Sequence, residues 1–260
     1  MPNTESLFQL GRKARARLLR MHYEARIGHL GGNLSCLDAL LVLHARTLRP
    51  QDTVVLSKGH AAGALYIALW ATGRLDESLL ATFHRDGTRL AGHPMAGWHE
   101  GILFSTGSLG HGLGQAAGLA LGARLQAQDR RVYCLLSDGE WQEGSNWEAL
   151  IFAAHHRLDN LTALVDMNGL QGFGSTQAVA SLVDLGSRLR GFDVEMMELD
   201  GHDPAALEAA LAAPPQGRPR MVLLRTVKGK GVSYMEGRLE WHYKSMDEAQ
   251  YRQALAEVEA

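Results

Sequence analysis

Two short apolar runs with a helix-length segment between them constrain this chain more than any other feature. Val132-Tyr-Cys-Leu-Leu136 breaks at Ser137-Asp138-Gly139-Glu140, residues 145–155 carry a helical pattern, and Leu161-Thr-Ala-Leu-Val165 stops at Asp166-Met167-Asn168-Gly169. Short apolar runs bounded by turn residues read as buried strands. Strand, helix and strand in succession close as a right-handed crossover between parallel strands. Both strands then end on one edge of the sheet, the edge outside which ligands bind in such folds. The expected fold class is α/β, a mainly parallel sheet with helices on both faces.

That geometry brings Asp138 and Asn168 together, each just beyond a strand. A carboxylate and an amide oxygen are hard donors suited to Mg²⁺ or Ca²⁺, which commonly share their shell with phosphate oxygens and water. Gly139 lets the backbone approach a ligand closely. Either polar residue alone would be ordinary turn chemistry at a strand end.

The length of 260 residues suits one large domain, and no linker, repeat or low-complexity stretch divides it, so residues 1–260 read as a single domain. A net charge of −2 argues against a broad basic surface for nucleic acid. Arg12, Lys13, Arg15, Arg17 and Arg20 read as a solvated helix face. No run of about 18 apolar residues exists to span a membrane. Met1-Pro-Asn-Thr-Glu-Ser6 holds no apolar signal region, so a cytoplasmic protein is expected. Cys36 and Cys134 lie in or near apolar runs and read as small buried hydrophobes.

Histidine placement is unusual. Random placement of 12 His and 29 Gly gives roughly one Gly-His pair. The chain has five, at Gly28-His29, Gly59-His60, Gly92-His93, Gly110-His111 and Gly201-His202. Imidazoles on glycine-hinged backbone can approach a ligand, so five such pairs suggest a site lined by histidines from separate loops.

Further helices are expected over residues 7–27, 34–47, 61–72, 75–83, 115–128, 182–190, 204–213 and at the C-terminus, and further strands over residues 53–56, 194–199 and 221–226. Asn33 or Ser35 is placed to cap the second helix, and Ser145-x-x-Glu148 reads as a capping box. Residues 89–104 and 171–180 read as loops, the first long enough to be functional. Thr106-Gly-Ser-Leu-Gly-His-Gly-Leu-Gly114 opens a helix, but a dinucleotide fingerprint needs a strand before it and an acid about 20 positions later. Residues 100–106 make a poor strand, and the next acid, Asp129, lies outside a βαβ unit.

Ser137-Asp138-Gly139, the intervening helix and Asn168 (168 − 138 = 30 positions on) resemble the thiamine diphosphate motif usually written GDG…NN. Ser137 stands at its first Gly and Met167 at its first Asn. Glu140-Trp-Gln-Glu-Gly-Ser-Asn-Trp-Glu148 and Asn168-Gly-Leu-Gln171 sharpen a likeness to the transketolase family, in particular its split form, in which this domain is a separate chain. The likeness covers nearly the whole sequence and implies the thiamine diphosphate-binding fold.

The resemblance implies a divalent cation, Mg²⁺ or else Ca²⁺ or Mn²⁺, at Asp138, Asn168 and Leu170, with Gly139 beside the thiamine diphosphate it holds. Gly107 and Leu109 are carried over as cofactor contacts from the family's TGxLGxG loop, and His60, in Ser57-Lys-Gly-His60, as a contact near the diphosphate. His29, after Ile27-Gly28, is implied in proton transfer. His93, in Gly92-His93-Pro94, is implied in contact with the donor's hydroxyls, and His242, after Trp241, lies near the diphosphate and the reaction centre. Neutral imidazoles donate and accept, which suits these tasks near pH 7. Leu30 stands where the family usually has Pro, and Tyr243 where it often has Gly. Glu143 matches the family acid that binds across the subunit interface, near its counterpart or the cofactor-activating glutamate, and is carried over as catalytic and as a cofactor contact. Gly201-His202-Asp203 is a familiar word of the family and reads as structural.

In this family the activating glutamate sits on a second, pyrimidine domain, and the chain matches the first domain alone. It is therefore expected to be half of a split enzyme. The partner chain would carry the pyrimidine domain, the activating glutamate and the sugar-phosphate-binding arginines, with two copies of each chain in a symmetric assembly. The five Gly-His loops and Glu143 would face that partner. The expected reaction moves a two-carbon ketol unit from a ketose, phosphorylated in the leading reading, to an aldose. Two other readings stay open. One is a subunit of another thiamine diphosphate enzyme, 2-oxoacid dehydrogenase alpha-like or deoxyxylulose phosphate synthase-like, against which Gly92-His93-Pro94 speaks. The other is a non-catalytic regulatory subunit, which predicts loss of Asp138 or Asn168, and both are present.

Overall fold

Strands β1 (Thr53–Leu56), β2 (Val132–Ser137), β3 (Leu161–Met167), β4 (Glu195–Asp200) and β5 (Arg220–Arg225) pair in parallel, in the order β1-β2-β3-β5-β4. The computed structural model describes residues 6–182 and 184–260. The expected lack of a signal region therefore concerns a segment, residues 1–5, that lies outside the described residues.

The sheet is covered on both faces, which is why its central strands read as continuous apolar runs. Along β2, Tyr133 and Leu135 face one core, while Val132, Cys134 and Leu136 face the other. Helices α1 (Leu7–Ala25), α2 (Leu30–Val42), α3 (Ala62–Ala71), α4 (Glu77–Leu80), α5 (Gly112–Leu125), α6 (Gly144–His155), α7 (Thr176–Val179), α8 (Leu185–Leu189), α9 (Pro204–Ala212) and α10 (Glu248–Glu259) complete the chain. The first core takes residues from α1, α2 and α3, the second from α5 and α6. Cys36 and Cys134 are free and buried. No described helix is long and apolar enough to cross a membrane.

The β2-α6-β3 crossover forms as expected, with Ser137 opposite Asp166 in register, so Asp138 and Asn168 leave the same edge. Some boundaries differ. The second helix begins at Leu30, not residue 34, with His29 before it in the left-handed region at φ 62. All of its residues are buried, so it has no polar face to mark where the helix starts. Gly31 and Gly32, which look like loop residues in sequence, are inside it; a β-carbon on Gly31 would stand 3.0 Å from Lys228 Cγ. Leu30, at the family's proline position, is the first helical residue, a place proline also tolerates.

The capping box at Ser145 does not form. Glu143 precedes the helix and Ser145 lies inside it, donating instead to the Gly110 carbonyl at 2.8 Å. Residues 171–180 include the short helix α7. The helix expected at residues 182–190 spans Leu185–Leu189, and Val183 lies outside the described residues. Arg15 and Arg17 are only partly exposed, and they pair with Asp38 and Glu77.

Candidate functional site: a cavity at the strand ends

A cavity of about 240 Å³ opens where β2 and β3 end. Asp138, Asn168 and Leu170 line one side, and His29, His60, His93 and His242 also line it, with Gly107, Leu109, Gly139 and Lys228. A larger groove of about 490 Å³ lies on the other side of Asp138, between α7, α8 and the ends of β4 and β5, but none of the histidines reach it.

The strand-end turns set the first wall. Asp138 is nearly buried, and its carboxylate accepts from the backbone N–H groups of Gly139 and Gly169, both at 2.7 Å. Burial, with the Asp166 carboxylate nearby, pushes its pKa up to about 6. Asn168 is oriented from behind: its amide nitrogen donates to Ser35 Oγ and Asp166 Oδ2, both at 3.2 Å, and its oxygen accepts from Leu170 N–H at 3.0 Å. The Leu170 carbonyl accepts from the Lys228 ammonium at 3.3 Å, so it already faces a cation. One buried carboxylate with surplus negative charge, one amide oxygen and one carbonyl make a hard-donor set that fits Mg²⁺ or Ca²⁺. Gly139 leaves room for the Gln171 side chain: a β-carbon there would stand 2.6 Å from Gln171 Cδ and displace it.

The histidine wall is assembled from four loops. The His29 ring centroid lies 5.8 Å from that of His60, 6.0 Å from His93 and 4.9 Å from His242. His29 sits at positive φ although it is not glycine, a conformation that costs on the order of 1–3 kcal/mol and persists only when over-determined. Its N–H donates to the His242 carbonyl at 2.9 Å, and its own carbonyl accepts from Asn33 at 2.8 Å. Gly107, at φ 151, lies so close to His93 that a β-carbon would come within 2.9 Å of the ring.

Burial lowers the pKa of all four imidazoles, of His242 to about 3 and of His60 well below its usual value. Burial, then the Lys58 charge, also lowers Lys228 to about 8. At pH 7 the site thus holds neutral imidazoles beside a cationic lysine. The Lys228 ammonium donates to His242 Nδ1 at 3.1 Å, which leaves the ring hydrogen of His242 on Nε2.

Of the five Gly-His pairs, three supply this wall. His111 is exposed at the start of α5, and His202 turns inward to pair with Asp38. Glu143 does not line the cavity: it is exposed at the start of α6 beside Gly110. Its neighbour Glu140 is the buried acid, and it accepts from Gly110 N–H at 2.9 Å, Ser137 N–H at 3.2 Å and the Ser57 hydroxyl, clamping three loops that border the cavity. The sequence assigns no site role to Lys58, Lys228, Asp166 or Ser35, the last of which lies inside α2 and does not cap it. A lone lysine in a polar loop is ordinarily solvated; its placement between Ser57 and Gly59-His60 was the available signal.

The buried histidines make the fold acid-sensitive. Burial lowers His22 to about 4 and His44 to about 3. The unfolded chain takes up these protons near pH 6.5, whereas the folded chain does so only far below. Stability is therefore complete above about pH 6.5 and falls as the pH drops. By pH 5 each ring removes about 2 kcal/mol. Calorimetry should show Tm falling by on the order of 10 °C between pH 7.5 and pH 5; a Tm unchanged over that range would contradict the assignment of these rings as neutral.

Residues 13–258 match the family model described as transketolase, thiamine diphosphate binding domain. The chain belongs to the transketolase family. It is 37% identical, over 98% of its length and 94% of the relative's, to a subunit of the apulose-4-phosphate transketolase of Phocaeicola vulgatus. It is 38% identical, over 90% of its length and 89% of the relative's, to a 6-deoxy-6-sulfo-D-fructose transketolase subunit from a Clostridium species. Among solved structures, the transketolase of Campylobacter jejuni superposes with a TM-score of 0.89 at 27% identity, covering 97% of this chain and 42% of that one. The chain thus spans about two fifths of that solved transketolase and most of the two subunit relatives. Membership makes it a chain of a thiamine diphosphate-dependent transferase, on the parallel α/β domain that the family shares.

Proposed function

We propose that this chain, as a single domain over residues 1–260, is the diphosphate- and Mg²⁺-binding subunit of a two-component transketolase. It would transfer a two-carbon ketol unit from a ketose, phosphorylated in this reading, to an aldose. The observation that carries the proposal is the meeting, in one cavity, of the Asp138, Asn168 and Leu170 oxygens with four neutral histidines. The free, buried state of both cysteines is consistent with work in the reducing cytoplasm.

Thiamine diphosphate, when bound, would supply the carbon nucleophile of ketol transfer. Asp138, Asn168 and the Leu170 carbonyl would hold the cation, and Lys228 and His60 would neutralise and hydrogen-bond the diphosphate. Gly107 and Leu109 would support the rings of the cofactor. His242, fixed by Lys228 with its hydrogen on Nε2, would act as a donor at the reaction centre. His29 would move a proton at the donor's hydroxyl, and His93, the most open of the four, would bind sugar hydroxyls.

The partner would bring the pyrimidine domain and the activating glutamate, and Glu143, exposed and outside the cavity, would meet it across the interface. An α2β2 assembly follows from two-fold closure. Relatives that are themselves named as transketolase subunits support a partner, and so does the outer face of α5. There Gly118 and Gly122 border a groove of about 410 Å³, and a β-carbon on either would touch nothing. Helix α6 exposes Ile151 and Phe152. Gly118→Leu should therefore leave the isolated chain as stable as before, or more so by up to about 1 kcal/mol from helix propensity, yet abolish co-purification with the partner. Retained association would show that this face is free.

The proposal as a whole is tested by tagged purification from the native host, then native mass spectrometry and a ketol-transfer assay with ketose phosphates. A chain of about domain size, bound one-to-one and required for turnover, is the expected result. Turnover by this chain alone would contradict it.

A further inference from the structure

We propose that His202 is a positioning residue that holds the turn delivering Lys228 into the cavity, through a hydrogen-bonded relay from Asp38 to His202 to the Val227 backbone. The proposal rests on the reading that the cavity receives a diphosphate.

The direction of each bond follows from chemistry. The Val227 backbone N–H donates to His202 Nε2 at 2.9 Å. A backbone amide can only donate, so Nε2 carries no hydrogen. The hydrogen is then on Nδ1, which donates to Asp38 Oδ2 at 2.9 Å. Asp38 is nearly buried, and Arg15 of α1 pairs with the same oxygen. Burial pushes the Asp38 carboxyl up, but the His202 hydrogen bond and the Arg15 charge outweigh it, so it stays ionised. The relay thus ties α1, α2 and the end of β4 to the residue just beyond β5.

That residue begins the turn that matters. Thr226 donates its hydroxyl to Asp166 on one side of Val227, and Gly229 N–H donates to the Gly31 carbonyl at 2.9 Å on the other. Between them Lys228 reaches Leu170 and His242. The end of β4 presses on the same turn: a β-carbon on Gly201 would stand 2.5 Å from Thr226 Cγ2. The Gly201-His202 pair therefore serves the site from beneath, by close approach at the glycine and an oriented acceptor at the histidine. A carboxylate that fixes an imidazole tautomer, which in turn orients a functional group, is a recurrent arrangement around reactive centres.

Two measurements on the full chain test this. In ¹⁵N NMR, His202 should be the Nδ1–H tautomer near neutral pH, with unprotonated Nε2 coupled to the Val227 amide. An Nε2–H ring or an imidazolium would overturn the relay. In calorimetry with thiamine diphosphate and Mg²⁺, Lys228→Met should weaken binding roughly tenfold, the size expected for one charge-assisted hydrogen bond. His202→Phe should weaken it similarly, and the double variant no more than the worse single one, because His202 acts through Lys228. His202→Gln, whose amide can accept from Val227 and donate to Asp38, should recover most of the loss. Additive losses, or unchanged affinity in His202→Phe, would overturn the proposal. If the wild-type chain assembled with its partner subunit fails to bind the cofactor, the functional reading fails instead, and the tautomer still decides the relay.

Discussion

Asp138→Ala should abolish cation-dependent binding of thiamine diphosphate and leave the fold in place. The carboxylate is the sole charged oxygen among the three donors on its wall, with the Asn168 amide and the Leu170 carbonyl. Losing a charged ligand of a divalent ion exceeds the 10–100-fold penalty typical of the groups that merely support ligands, so a loss of about 100-fold or more is expected. The fold is affected far less. Removing Asp138 leaves the Gly139 and Gly169 N–H groups without their acceptor, a cost of about 1–3 kcal/mol. It also removes a buried charge that burial, and then the Asp166 carboxylate, disfavour, raising the Asp138 pKa to about 6, which offsets part of that cost. Titration calorimetry with Mg²⁺ present, beside a thermal melt, separates the two effects. Wild-type affinity in a folded Asp138→Ala chain would remove Asp138 from the site.

Lys58→Met should be the most destabilising single substitution near the cavity. Lys58 and Asp166 form an ion pair in which both side chains are 0% exposed. Asp166 also accepts from Ser35 at 2.6 Å, from Thr226 and from Asn168, and Lys58 donates a further bond to the Gly32 carbonyl at 3.1 Å. A lysine so enclosed keeps its charge because the Asp166 attraction outweighs the burial that opposes it. Removing one partner of such a pair leaves a buried charge without its counterion, which costs about 3–5 kcal/mol. In a chain of this size that is on the order of 10 °C in Tm. The pair itself need not stabilise the fold, since two buried ions lose hydration that their attraction only partly restores. Lys58→Met combined with Asp166→Leu should therefore recover much of the stability lost in Lys58→Met. It should not recover cofactor binding, because Asn168 loses the acceptor that orients its amide. A Lys58→Met chain that melts with the wild type would contradict the buried pair.

The β2-α6-β3 crossover was legible because apolar runs of strand length are punctuated by turn residues at both ends, and Asp138 and Asn168 were legible because they stand at those breaks. The histidine wall was half legible: the glycine pairing flagged His29, His60 and His93, but it equally flagged His111 and His202, which the fold sends elsewhere. The start of α2 was not legible, since Gly31 and Gly32 look like loop residues until Lys228, Trp241 and His60 are seen packing against them. Nor was the polar network beneath the site. Ser35, Lys58, Asp166 and Thr226 come from four separate stretches, and only tertiary closure shows that they share one carboxylate. Nor does the sequence mark Glu140 as the buried acid of this stretch: the short turn after Asp138 directs it inward, to three donors, and leaves Glu143 outside, where an interface residue is expected.

The most direct measurement is a crystal structure of the chain with thiamine diphosphate and Mn²⁺, the ion located by anomalous scattering. A single strong peak bound by the Asp138 carboxylate, the Asn168 amide oxygen and the Leu170 carbonyl, with the diphosphate beside Lys228 and His60, is the predicted result. An ion bound elsewhere, or a cofactor outside the histidine-lined cavity, would contradict the central assignment.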